Sequence, residues 1–121
     1  MSLIRSSVII FLPSILELNH RISYLIVHII SRKKLNEFAE KYPDSKSALI
    51  QWYRIIKQGY FDSIADIRQV FPTADKVGKL TVFNIGGNKF RLITAIHYNR
   101  QKIYIRAVLT HKEYDQGKWK E

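Results

Sequence analysis

A chain of 121 residues, 46% of them hydrophobic, is long enough for one domain with one core and too apolar for wholesale disorder. Twenty Lys and Arg against ten acidic residues leave a formal charge of +10, which calls for an anionic partner: nucleic acid, an acidic protein or a membrane surface. The absence of cysteine excludes disulfides and thiolate metal sites, and fits a reducing, cytoplasmic setting.

Arg5 followed by the apolar run Val8 to Leu18 has the outline of a signal peptide. Pro13 and Glu17 interrupt that run, and no small-x-small cleavage site follows it. Glu17, His20 and Arg21 also break it well short of the about 20 apolar residues a membrane span needs, so no membrane partner is expected. Residues 1–25 are read as an N-terminal extension to a domain over 26–121. Initiation at Val27, whose codon can be the bacterial start GUG, would omit that extension.

"LIVHII", Leu25 to Ile30, is β-branched and short and reads as a strand. Ser31 is placed to cap a helix whose apolar face is Leu35, Phe38, Ala39 and Tyr42, and Pro43 ends it. Asp44 and Ser45 are candidate caps for a second helix carrying Ala48, Leu49, Trp52, Tyr53, Ile55 and Ile56, with Gly59 at its C-terminal end. A third, short helix is predicted from Ser63, its cap, to Phe71, where Pro72 stops it.

After Gly78 the periodicity changes from helical to alternating. "KLTVFNI", "NKFRLITAIHY" and "QKIYIRAVLT" read as a three-stranded antiparallel meander. The order of strand, two to three helices and then three strands defines an α+β domain with helices on one sheet face.

Two-residue turns set an expected register. With Gly86-Gly87 as one loop, Asn84 opposes Lys89 and Val82 opposes Arg91. With Asn99-Arg100 as the other, Ile93 opposes Arg106, Arg91 opposes Val108 and Lys89 opposes Thr110. Alternation then assigns Phe83, Ile85, Phe90, Leu92, Ile96, Ile103, Ile105, Ala107 and Leu109 to the helix-covered face. The opposite face receives Asn84, Lys89, Arg91, His97, Lys102, Tyr104 and Arg106, with Val82, Ile93, Ala95 and Val108 between them. No Asp or Glu balances those cations. A solvated sheet face is the bland reading, and a phosphate backbone as countercharge is the sharper one.

The glycines are not a P-loop, which needs Gly-Lys-Ser/Thr between a strand and a helix. At the end of the last strand, "THKEYD" brings together His111, Lys112, Tyr114 and Asp115, groups able to move protons or hold phosphate. Strict alternation puts His111 on the apolar face with Leu109. It joins the basic face only if the chain turns after Thr110. His28 reads as structural, and His97 lies far along the sheet from Lys89. No His, Asp or Glu spacing suggests a metal site.

"HIISRKKLNEFAEKYPD", "FPTADKVGKLTVFNIGGNKFRLI" and "IYIRAVLTHKEYD" together resemble the HigB family of bacterial toxins, the toxin halves of type II toxin–antitoxin systems in the RelE superfamily. The similarity runs from about Val27 to Trp119, and "VFNIGGNKFRLI" followed by "THKEYD" is its signature. The resemblance implies a RelE-like fold, no metal or cofactor, and cleavage of mRNA on the translating ribosome by attack of the substrate's own 2′-hydroxyl. It implies a HigA-type antitoxin with a helix-turn-helix domain as partner. Arg91 matches the arginine that RelE-like toxins carry on the penultimate strand. On that reading Arg91 and Lys89 stabilise the phosphate, and His111 is the general acid or base with Tyr114 in support. Asn84, Asn88, Lys102, Arg106 and Lys112 hold RNA. RelE itself uses lysine, arginine and tyrosine, so the His111–Tyr114 pair departs from its pattern. Two alternatives share the fold: a gyrase-poisoning toxin of the ParE branch, and a non-catalytic RNA- or protein-binding module.

Overall fold

The computed structural model describes residues 26–120, so the extension expected over residues 1–25 lies outside the described part. Its elements are β1 (His28–Ile30), α1 (Lys33–Lys41), α2 (Lys46–Gln58), α3 (Ile64–Val70), β2 (Asp75–Val77), β3 (Leu80–Ile85), β4 (Phe90–His97), β5 (Lys102–Thr110) and α4 (His111–Gln116). Five strands form one sheet in the order β1-β5-β4-β3-β2, with β1 parallel to β5 and every other pair antiparallel.

The helices pack on one face of this sheet. Leu49, Trp52 and Ile56, one side of α2, are buried with Leu35 of α1 and Ile67 of α3 against Phe83, Ile85, Phe90, Leu92, Ile103 and Ile105. Trp52 and Phe71 both meet the Phe83 ring edge-on, at 5.4 and 5.2 Å between centroids. Such pairs add about 0.5–1.5 kcal/mol each beyond their burial.

The helix ends differ from expectation in three places. Ser31 has φ 71° and turns the chain; Arg32 is the N-cap of α1, and the Ser31 carbonyl accepts from Lys34 N–H. Ser45 precedes α2, but its hydroxyl donates to the Tyr42 carbonyl at 2.7 Å instead of accepting from the helix. Gly59 ends α2 in an extended conformation, and its missing side chain makes room for the Phe61 ring. Ser63 does cap α3, accepting from Asp66 N–H.

The meander has four strands, because Asp75–Val77 pairs with Leu80–Val82 around Gly78. The first hairpin is closed by four residues, Gly86 to Lys89, so Ile85 opposes Phe90, Asn84 opposes Arg91 and Val82 opposes Ile93. The ladder stops at Phe90 because its ring is held by Phe38 and Tyr42, 5.3 and 5.8 Å away between centroids. Lys89 is therefore a turn residue and not the partner of Asn84 or Thr110.

The second hairpin keeps the expected register near its turn, His97 facing Lys102 and Thr94 facing Ile105. A bulge then leaves Arg106 without a partner, so Ile93 faces Ala107, Arg91 faces Leu109 and Phe90 faces Thr110. A bulge advances one strand by one residue and exchanges its faces beyond that point. Val108 accordingly packs on the helix-side core, while Ala107 and Leu109 stand beside Ile93 and Arg91 on the other face. The expected assignment of these three residues is reversed.

Candidate active site

The same bulge decides where the last strand delivers its end. With Leu109 on the face of Arg91, the chain reaches Thr110 and starts α4 at His111, on the side away from α1 to α3. Thr110 and Glu113 form a reciprocal cap: the Thr110 hydroxyl accepts from Glu113 N–H at 3.2 Å, and Glu113 Oε1 accepts from Thr110 N–H at 2.9 Å. This Ser/Thr-x-x-Glu signature is legible in "THKE" and marks the turn that the position of His111 depends on. The backbone N–H of His111 donates to the Lys89 carbonyl at 3.0 Å, fastening the helix start to the glycine turn.

Arg91 lies at the centre. The residue is only 8% exposed, yet none of the ion pairs among the described residues involves it. One guanidinium nitrogen donates to the Phe90 carbonyl at 3.1 Å and another to Asn88 Oδ1 at 3.4 Å. The Tyr114 ring of α4 lies 5.2 Å from the guanidinium carbon. The arginine is thus oriented and dried while its charge stays uncompensated, the condition under which a cation acts most strongly on an arriving anion.

His111 stands exposed at the rim, its Nε2 3.6 Å from Asp115 Oδ2, one helical turn on. Asn84 faces Arg91 across the β3–β4 pair and shares its side of the sheet. Asn88 and Tyr114 therefore meet at Arg91, with Asn84 beside it, and His111 opens the helix that carries Tyr114. Lys112 is exposed on α4 next to His111.

Three expected members lie elsewhere. Lys89 reaches toward the helix layer, where its ammonium is 3.7 Å from Asp44, an exposed pair of small energetic weight. Lys102 faces His97 at the opposite end of β5, roughly 20 Å along the strand from Leu109. Arg106 projects from the bulge, and its carbonyl accepts the Lys34 ammonium at 3.0 Å.

One participant escaped the sequence reading. Trp119 stacks on Tyr114 with centroids 4.8 Å apart and planes 13° from parallel, and its Nε1 donates to the Tyr114 carbonyl at 2.8 Å. Gly117, at φ 77°, turns the chain back for this contact, so a glycine between two aromatic residues after a capped helix was the available signal. A groove of about 810 Å³ between α1 and α2, lined by Leu35, Ala39, Leu49, Ile50 and Tyr53, belongs to the helix layer and shares no residue with the Arg91 cluster. Among the described residues no three His, Asp or Glu side chains are grouped to hold a metal, and no helix is long and apolar enough to cross a membrane.

The family model for HigB_toxin, the RelE-like toxic component of a toxin–antitoxin system, matches residues 45–117. The chain is 42% identical over 92 residues to the mRNA interferase toxin HigB of Escherichia coli K12 and to mRNA interferase HigB of Shigella flexneri. Those alignments cover 74% of this chain and 88% of each relative. It is 34% identical over 93 residues to mRNA interferase HigB of Escherichia coli O6:H1, covering 74% and 90% of the two chains. With the sheet, the buried arginine and the capped terminal helix in place, the matched region spans most of the described domain, and the chain belongs to the HigB family of RelE-like toxins.

Proposed function

We propose that the protein is an mRNA endoribonuclease, the toxin of a toxin–antitoxin pair, which blocks translation by cleaving messenger on the ribosome. The observation that carries this reading is Arg91: a desolvated guanidinium without an acidic partner, held at the sheet end against Tyr114, on the helix that His111 begins. The substrate's 2′-oxygen attacks the adjacent phosphorus, forming the 2′-O–P bond as the P–O5′ bond breaks. The products are a 2′,3′-cyclic phosphate and a 5′-hydroxyl. Arg91 stabilises the added charge on the phosphorane oxygens. One proton leaves the 2′-hydroxyl and one reaches the departing 5′-oxygen. His111 carries one of these transfers, with Asp115 holding its ring, and Tyr114 supports the other.

Asn84, Asn88 and Lys112 orient the RNA around that centre. Lys89, engaged with Asp44, contributes to the field and not to direct phosphate contact. Lys102 and Arg106 serve a longer track along the sheet. The partner that restrains the toxin is an antitoxin of the HigA type, drawn to this cationic chain by charge complementarity. On this reading the working domain is residues 26–121, and the toxin acts in the cytoplasm, where messenger is translated.

A brief pulse of expression followed by mapping of transcript 5′ ends tests the proposal. Frame-related cleavage that disappears in Arg91→Ala and His111→Ala, with both variants folded, is the expected outcome. DNA damage without transcript cleavage would instead establish gyrase poisoning.

A further inference from the structure

The column of side chains above Arg91 does not end at Tyr114. Tyr114 turns one face to the guanidinium and the other to Trp119, whose near-parallel indole stacks on that second face. Lys120 places its ammonium 5.6 Å from the Trp119 centroid. With Tyr114 against the inner face, the outer face of the indole is left to this exposed lysine. Trp119 takes no part in the hydrophobic core. It sits in a short turn, Lys118–Lys120, and its indole N–H fixes its plane against the Tyr114 carbonyl.

We propose that the outer face of Trp119 is a stacking site for a nucleobase of the RNA, next to the phosphate held at Arg91, with Lys120 swinging from the ring to that nucleotide's phosphate. This rests on the endoribonuclease reading and names a subsite of the same centre. A flat, fixed indole already continuing an aromatic stack receives a base of any identity, because every base has a π-face. The guanidinium–Tyr114 and Tyr114–Trp119 steps, 5.2 and 4.8 Å, keep that base within reach of a nucleotide neighbouring the scissile phosphate. The subsite contributes affinity and alignment without sequence preference.

The test follows the Trp119 indole N–H resonance, assigned by its loss in Trp119→Phe, as an uncleavable 2′-O-methyl trinucleotide is titrated into the full chain. Abasic versions of the trinucleotide and inorganic phosphate are the controls. The indole resonance is expected to move with the trinucleotide and to stay still with phosphate and with the version lacking the stacked base. In cleavage assays Trp119→Ala lowers kcat/KM about tenfold to a hundredfold, while Trp119→Phe, which keeps a stacking ring, stays within about threefold. The proposal is overturned if the Arg91 side-chain resonances shift with trinucleotide while the indole does not. Equal losses in the Ala and Phe variants overturn it as well. If the native protein cleaves and binds no RNA, the endoribonuclease reading falls and this subsite with it.

Discussion

Replacing Arg91 by methionine separates folding from function. Burying a guanidinium costs several kcal/mol of desolvation. Its two hydrogen bonds, to the Phe90 carbonyl and Asn88 Oδ1, return about 1.5–3 kcal/mol each. The Tyr114 face returns about 0.5–2 kcal/mol more. Gain and cost nearly cancel, so a methionine that fills the same space should leave unfolding free energy within about 1 kcal/mol of the parent, in either direction. Activity is another matter. Removing one preorganised donor to a developing oxyanion typically costs about 10²–10³-fold in rate, or about 2.7–4 kcal/mol. Urea unfolding followed by tryptophan fluorescence gives the first quantity, and cleavage of ribosome-bound messenger gives the second. A variant destabilised by more than about 2 kcal/mol, or one that cleaves at the parental rate, refutes the argument that this cation is held for chemistry.

Three further outcomes follow from other parts of the molecule. Gly59→Ala drives a methyl into the buried Phe61 ring and should cost about 1–3 kcal/mol in chemical denaturation, although its φ of −97° suits alanine. Thr110→Val removes half of the reciprocal cap. It should cost about 1 kcal/mol, show fast amide exchange over residues 111–116, and lower cleavage because His111 and Tyr114 lose their support. Burial raises the Tyr98 phenol above its ordinary value, against a smaller lowering by a Thr81 hydrogen bond. The folded chain keeps that proton where the unfolded chain has lost it, so the contribution is complete below about pH 10 and declines as pH rises through the raised value. Urea unfolding on both sides of that pH should show less alkaline loss in Tyr98→Phe.

The alternating strands and the apolar stripes of the helices were readable because burial on one face imposes its period on the chain. Leu49, Trp52 and Ile56, and Phe83 with Ile85, lie where that period puts them. The sequence signal failed where a single residue outweighs a pattern. Gly86-Gly87 reads equally well as a whole turn or as half of one, and the choice fell to Phe90, whose ring is fixed by distant Phe38 and Tyr42. "DKV" is too short and too charged to announce β2. At the site, Arg91 and its neighbour Asn84 were visible from alternation. The company of Arg91, Asn88 and Tyr114, required the four-residue turn and the terminal helix. Lys89 was misplaced for the same reason: a turn residue does not follow strand alternation.

The unpaired residue at Arg106 has a meaning for comparing related chains. Upstream of it, odd-numbered positions of β5 face the helices; downstream, even-numbered ones do. A relative that lacks this one residue would align almost everywhere and differ by a single gap. Yet its terminal segment would emerge against the helix layer, with the histidine facing away from the arginine. Length in this strand, and not only residue identity, thus fixes which face of the sheet its terminal helix joins.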